Sequence, residues 1–279
     1  MRITDAQVHI WLPESPERPW PKDGRPAPQM ADGFRTEQLL ALMDEAGVER
    51  AVLVPPSWEG ERNDYVIEAA QRHPTRLAAM GRFLVDDRSM HGQLRAFMDQ
   101  PGIHGVRMTF SKPDHQAWLA DGTADWFWAE AEQVGMPVMV LAPYDMDKLD
   151  LVAARHPRLN LIIDHMGLRH NGTDDPTFLP GIAATLALAR YPNVKVKLSS
   201  IPLYSTQPYP FADMTPHVRR LFEAYGPRRS FWGTDITRLT PLGHSYRTAL
   251  DYMAQLDFLS PADREWVMGR GISECLGFA

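Results

Sequence analysis

The chain has 279 residues, 44 % of them apolar and 23 % charged, with 29 basic and 35 acidic side chains giving a net charge of −6. That length is close to the roughly 250 residues of one (β/α)₈ barrel, and the composition permits a large core rather than disorder. No basic run, long apolar stretch or signal-peptide pattern is present, which argues against nucleic acid, a membrane or export. A single cysteine, Cys275, can form no internal disulfide and suits a reducing cytoplasm.

In chain order, a helix stop followed by Gly or Pro and then a short apolar run recurs throughout. Ala46-Gly47-Val48 and Val134-Gly135-Met136-Pro137 place Gly where a helix C-terminus wants positive φ. Gln71-Arg72-His73-Pro74, Arg155-His156-Pro157, Arg190-Tyr191-Pro192 and Tyr225-Gly226-Pro227 repeat the punctuation with Pro. Amphipathic stretches precede these stops; Leu39, Leu40, Met43 and Ala46, for example, fall on one helical stripe. The apolar runs predict strands over residues 3–11, 50–55, 77–85, 103–110, 137–142, 160–165, 194–199 and 231–236, with an extra helix near 261–268.

Strands alternating with helices imply parallel pairing. With no linker between halves, the expectation is one α/β domain over residues 1–279, a (β/α)₈ TIM barrel. A dinucleotide-binding sheet would carry a Gly-rich turn after its first strand, where this chain has His9-Ile10-Trp11 and then prolines. Residues 12–33, with Pro13, Pro16, Pro19, Pro21, Pro26 and Pro28 around Trp20, have no helical period. Such a segment is a lid or binding loop, or else a disordered or oligomer-contacting arm, and its place after the first strand, at the catalytic face, favours a lid.

Active-site groups of such barrels project from the C-terminal ends of the strands. Alternation sends Asp5, Gln7 and His9 to one side of the first strand. Arg107 ends the fourth strand, His165 the sixth and Asp235 the eighth. An Asp can act as a base toward water, imidazoles can polarise a carbonyl, and an Arg can hold a carboxylate. Tyr144 and Trp58, in loops after strands five and two, are candidate pocket walls. Asp164 is expected to point away from His165, and Asp5 to anchor the barrel by hydrogen bonds. His73 and His156 beside prolines read as helix-end residues, and Cys275 as a buried apolar residue. The Trp126-Phe127-Trp128 run reads as helix-to-barrel packing, and Lys197 is assigned to neither face.

Taken together, the opening Asp-x-His-x-His-type strand (Asp5–His9), Gly105–Arg107, Asp164–Gly167, Val196–Ser199 and Trp232–Asp235 carry a resemblance. Over nearly its full length the chain resembles the amidohydrolase superfamily, in its amidohydrolase 2 (amidohydrolase-related) family and lactonase-like branch. The resemblance implies a cytoplasmic hydrolase that opens a lactone or similar cyclic ester of a small, carboxylated or sugar-acid substrate. It assigns Asp235 as the base, with His9, His165 and the Gln7 amide on the carbonyl and Arg107 on a carboxylate or ring oxygen. Metal-binding members use His-x-His on strand one and commonly a His ending strand five. Here the first His is Gln7, and strand five ends Leu141-Ala142-Pro143. Gln is a poor zinc ligand, so no tightly held metal is expected; if one is present, His9, His165 and Asp235 hold it.

A metal-dependent amidohydrolase or decarboxylase of the same family, using a divalent ion such as zinc, is the first alternative. A non-catalytic barrel binding a small acid is the second. Specificity is expected in the loops 12–33, 57–64, 112–122 and 202–210, and a homo-oligomer is compatible with their aromatic content.

Overall fold

A computed structural model describes residues 1–24, 27–169 and 172–278. Each predicted apolar run forms a strand: β1 (Thr4–Val8), β2 (Arg50–Leu53), β3 (Leu77–Gly81), β4 (Ile103–Thr109), β5 (Val138–Leu141), β6 (Leu161–Ile163), β7 (Val194–Ser199) and β8 (Ser230–Gly233). They pair in parallel in sequence order around an eight-stranded sheet. The sheet curls until β8 meets β1, where the Asp235 amide donates to the Gln7 carbonyl at 2.8 Å. Gly233 permits that approach, since a Cβ there would lie 2.9 Å from the Gln7 Cβ. The fold is therefore a (β/α)₈ barrel in one domain, as the alternating runs predict.

The helix stops behave as their Gly and Pro residues dictate. Gly47 and Gly135 both take left-handed conformations at helix C-termini, with φ of 73° and 71°. His73 and His156 cap their helices through amides that donate to Ala69 and Val152 carbonyls. Helix Thr36–Ala46 buries Leu39 and Met43 against the barrel, and helix Asp125–Val134 does the same with Phe127 and Trp128. Burial of such side chains contributes about 1.5–3 kcal/mol each, so the layer between strands and helices carries most of the stability.

Inside the barrel, a smaller apolar cluster of Ala6, Val52, Ala78, Met139, Ile162 and Phe231 fills the N-terminal half. The C-terminal segment plugs that end, packing Ile272, Leu276 and Phe278 onto the cluster. Arg50 clamps the plug, donating to the Phe278 carbonyl at 2.8 Å. The predicted helix at 261–268 is broken instead into Pro261–Glu265, a π-turn over Trp266–Arg270 and a last helix Gly271–Leu276. Cys275 differs from the expectation as well: it is half-buried, with its thiol 3.5 Å from the Asn160 side-chain oxygen. Burial pushes that thiol upward in pKa, which keeps it protonated and unreactive.

The proline-rich segment has no helix or strand of its own among its described residues, which exclude 25 and 26. It is tied to the barrel by Arg18, which is buried and bonds Glu59 at 2.8 Å and Asp64 at 2.6 Å. Asp23 pairs with Lys112 at 2.8 Å, linking the segment to the loop after β4. Among the described residues no helix is long and apolar enough to cross a membrane.

Candidate active site

At the C-terminal end of the strands lies a cavity of about 460 Å³. Its lining includes His9, Trp58, Arg107, Tyr144, His165 and Asp235. Six of the seven residues singled out from sequence thus share one wall system. Gln7 does not; it is fully buried in the layer beneath.

The floor is built from β1 and β8. Asp5 accepts bonds from the amides of Gln7 and Thr234, both at 2.9 Å, from the Tyr246 hydroxyl at 2.6 Å and from the Thr234 hydroxyl. It anchors the seam between the two strands, the structural role expected of it. Burial raises its pKa to about 6 in spite of those donors. Two residues on, the Gln7 side-chain oxygen accepts from the Lys197 ammonium at 2.7 Å. Its nitrogen therefore faces His9 Nε2, at 3.3 Å. His9 Nδ1 lies 2.7 Å from the Val54 carbonyl oxygen, so the proton is on Nδ1 and neutral His9 shows Nε2 as a lone pair. Burial lowers the His9 pKa, opposed by Asp235 and reinforced by Arg107.

Asp235 follows β8 in a left-handed conformation, φ 56°, which turns its carboxylate back over the barrel mouth. Such a conformation is costly for a non-glycine residue and marks a site where aim matters. Its Oδ1 lies 3.5 Å from His9 Nε2, and its Oδ2 accepts from the Ser200 hydroxyl at 3.2 Å. Ser200 is also left-handed, φ 59°, and its oxygen is 3.0 Å from His165 Nδ1. Since its single proton goes to the carboxylate, the imidazole Nδ1–H is the donor in that second contact. Ser199 Oγ adds a contact to the same nitrogen at 2.9 Å.

Asp164 does not point away from His165, as strand alternation predicts. The backbone leaves the extended region after Asp164, with φ of 51° at His165, 58° at Met166 and 68° at Gly167. This left-handed turn brings both side chains to the interior. Asp164 is fully buried and accepts from Arg107 Nε at 2.9 Å and from Lys197 Nζ at 2.8 Å. Burial alone would raise its pKa, but the two cations hold it well below the usual carboxylate range. Lys197, unassigned from sequence, is fully buried, and desolvation lowers its pKa against the pull of Asp164.

Arg107 has its Nη1 2.6 Å from the Thr109 hydroxyl oxygen as well as its Nε on Asp164. Trp58 sits on the short turn Ser57–Glu59, its ring 6.0 Å from that of His9 and edge-on to Trp11 at 4.9 Å. Tyr144 stands at the rim, 49 % exposed, beneath the Arg169 guanidinium at 4.1 Å. Sequence reasoning missed Arg82, Lys112, His115, Arg169 and Arg238, which also line the cavity. His115 reaches it from the short helix Pro113–Ala117 after β4, stacked on Trp118 at 4.3 Å. No period or motif marks these residues, because the segments that follow the strands, rather than the strands themselves, deliver them. Nearby, Tyr204 carries a buried hydroxyl with no hydrogen-bond partner among the described residues, and burial beside Asp235 raises its pKa.

His9 Nε2 and Asp235 Oδ1 converge as a divalent metal would require, but the Gln7 oxygen is occupied by an ammonium. No group of three His, Cys, Asp or Glu side chains able to hold a metal occurs among the described residues. Two converging strong ligands do not fit a tight dication site.

Fold and site together define a barrel hydrolase. The family model described as Amidohydrolase matches residues 4–271, and the chain belongs to that family. It is 26 % identical to the L-fucono-1,5-lactonase of Burkholderia ambifaria, over 95 % of this chain and 92 % of that one. It is 28 % identical to the 4-sulfomuconolactone hydrolase of Hydrogenophaga intermedia, over 71 % of this chain and 64 % of that one. Among solved structures, a zinc-bound amidohydrolase from Burkholderia multivorans superposes with a TM-score of 0.82 over 99 % of both chains, at 20 % identity. The last comparison speaks to the fold.

Proposed function

We propose that the chain hydrolyses a lactone or similar cyclic ester of a small carboxylated or sugar-acid substrate, with Asp235 activating water and no tightly held metal. The observation that carries this is the Asp235 carboxylate on the cavity lining, its Oδ1 3.5 Å from His9 Nε2 and its Oδ2 held by Ser200. A water donating a proton to that carboxylate presents its lone pair to a carbonyl above. The lactonase names of the relatives supply the substrate class.

In this reading the water oxygen bonds the ring carbonyl carbon while Asp235 takes its proton. Arg107, through its Nη2 group, faces the charge that develops on the carbonyl oxygen, while His165, its proton on Nδ1, holds the Ser200 hydroxyl against the Asp235 carboxylate. Collapse breaks the ring C–O bond, and the proton held by Asp235 passes to the departing alkoxide, giving a hydroxy acid. His9 acts with the base rather than on the carbonyl, because its Nδ1–H is committed to Val54. Gln7 acts from below, orienting His9. The described part of segment 12–33, including Gly24, Ala27 and Gln29 on the cavity wall, serves as the lid. A small molecule in a reducing cytoplasm, rather than nucleic acid or a membrane, is the partner proposed, and a homo-oligomer fits equally.

The deciding experiment is a lactone panel assayed with and without chelator, beside metal analysis of protein purified without added metal. Turnover surviving chelation, with well under one metal per chain, is the expected result. Stoichiometric metal with chelator-sensitive turnover overturns the mechanism in favour of a metal-dependent amidohydrolase or decarboxylase. No turnover of any member of the panel favours a binding protein.

A further inference from the structure

We infer that the substrate carries a carboxylate away from the ring ester, and that Arg169, seated on Tyr144 at the cavity rim, binds it. The inference rests on the hydrolase reading of this cavity and adds the place where substrate charge is received.

The cavity wall is strongly cationic. Arg82, Arg107, Lys112, Arg169 and Arg238 line it, against Asp235 as the acidic residue of the lining. Most of that charge is already matched from within the protein. Arg82 pairs with Glu61 at 2.9 Å, Arg107 with Asp164 at 2.9 Å and Lys112 with Asp23 at 2.8 Å. Arg238 lies 3.9 Å from the Asp235 carboxylate. Arg107, the residue that sequence alone suggests for a substrate carboxylate, therefore already has Asp164 as its counter-ion inside the barrel.

Arg169 differs. It forms no ion pair with a carboxylate of the described residues; its contact is the Tyr144 ring, 4.1 Å from the guanidinium carbon. A guanidinium held over an aromatic face still has its N–H groups in its own plane, where a carboxylate accepts two of them. Tyr144 is half exposed, so the pair stands at the mouth rather than on the floor. Arg169 also belongs to the loop that begins at His165, so an anion held there is fixed relative to the imidazole below. A neutral lactone leaves this cation unmatched, whereas a carboxylated one neutralises it and is steered in by it. Of the two chemistries that the relatives' names describe, a sugar lactone and a sulfonated lactone, the charge of this cavity matches the anionic one.

The test compares 5-oxotetrahydrofuran-2-carboxylate with γ-valerolactone, the same ring bearing a methyl group, on wild type, Arg169→Met and Arg169→Lys. Binding of tetrahydrofuran-2-carboxylate, which has no ester to open, is measured by calorimetry on the same proteins. Wild type should prefer the carboxylated lactone at least tenfold in kcat/KM. Arg169→Met should lower that preference at least tenfold, chiefly through KM, and weaken the ester-free ligand equally. Arg169→Lys should restore part of both, and added salt should erode the preference. Unchanged binding of the ester-free acid in Arg169→Met, or an equal loss on both lactones, overturns the inference. If wild type opens no lactone yet Arg169→Met loses the acid, the anion site stands and the hydrolase reading falls. If wild type does not bind the acid, the anion site falls whatever the lactones do.

Discussion

The Lys197 ammonium and the Gln7 amide oxygen meet at 2.7 Å, fully buried in the barrel and 190 residues apart in sequence. That contact fixes which way the Gln7 amide faces and so turns its N–H toward His9 Nε2. It also closes a line of polar contacts running from Arg107 through Asp164, Lys197, Gln7 and His9 to Asp235.

Asp235→Asn keeps the side chain's shape and hydrogen-bonding reach but removes the base. Turnover should fall by about 10²–10⁴, with affinity for an ester-free ligand changing only a few-fold. Steady-state kinetics beside calorimetry would check this, and a near-full rate would discard Asp235 as the base.

Asp164→Asn strands two buried cations, Lys197 and Arg107, at once. Removing one partner of a buried ion pair costs about 3–5 kcal/mol, which should appear in urea unfolding at pH 7. Lys197→Met should cost less, because Asp164 keeps its bond to Arg107. The reverse order would mean that Lys197, not Asp164, organises the charge.

His9 should remain neutral well below its ordinary pKa of about 6.5, because burial depresses it. The acid limb of kcat/KM should accordingly lie below pH 6.5. The sign for stability is the same: below 6.5 the unfolded chain takes up a proton that the native site resists, so stability is lost as the pH falls. A pH titration of Tm for wild type against His9→Gln isolates this contribution, and a flat difference would refute it.

Asp5 behaves oppositely. With its pKa raised to about 6 from an ordinary 3.8, the unfolded chain ionises first as the pH rises. Its contribution should be largest below pH 4 and lost as the pH climbs through 6. Wild type should therefore lose stability relative to Asp5→Asn over that interval in paired melts. A difference that does not change with pH would place the Asp5 pKa at its ordinary value.

What the sequence determines here is local. Apolar runs closed by Gly or Pro specify the strands and helices, since periodicity and backbone preference need only neighbouring residues. Period-two alternation likewise puts Asp5, Gln7 and His9 on one side of β1. Tertiary structure decided the rest. A left-handed turn, invisible to alternation, swings His165 inward beside Asp164. The partners of Lys197 follow from how β7 packs against β6 and across the barrel to β1, and no local pattern encodes that contact. Arg169 reaches the cavity from a loop, and His115 and Arg238 from short helices that follow β4 and β8. Loop paths depend on long-range anchors such as Arg18 with Glu59, so the layout of charge around the mouth exists only once the barrel has closed.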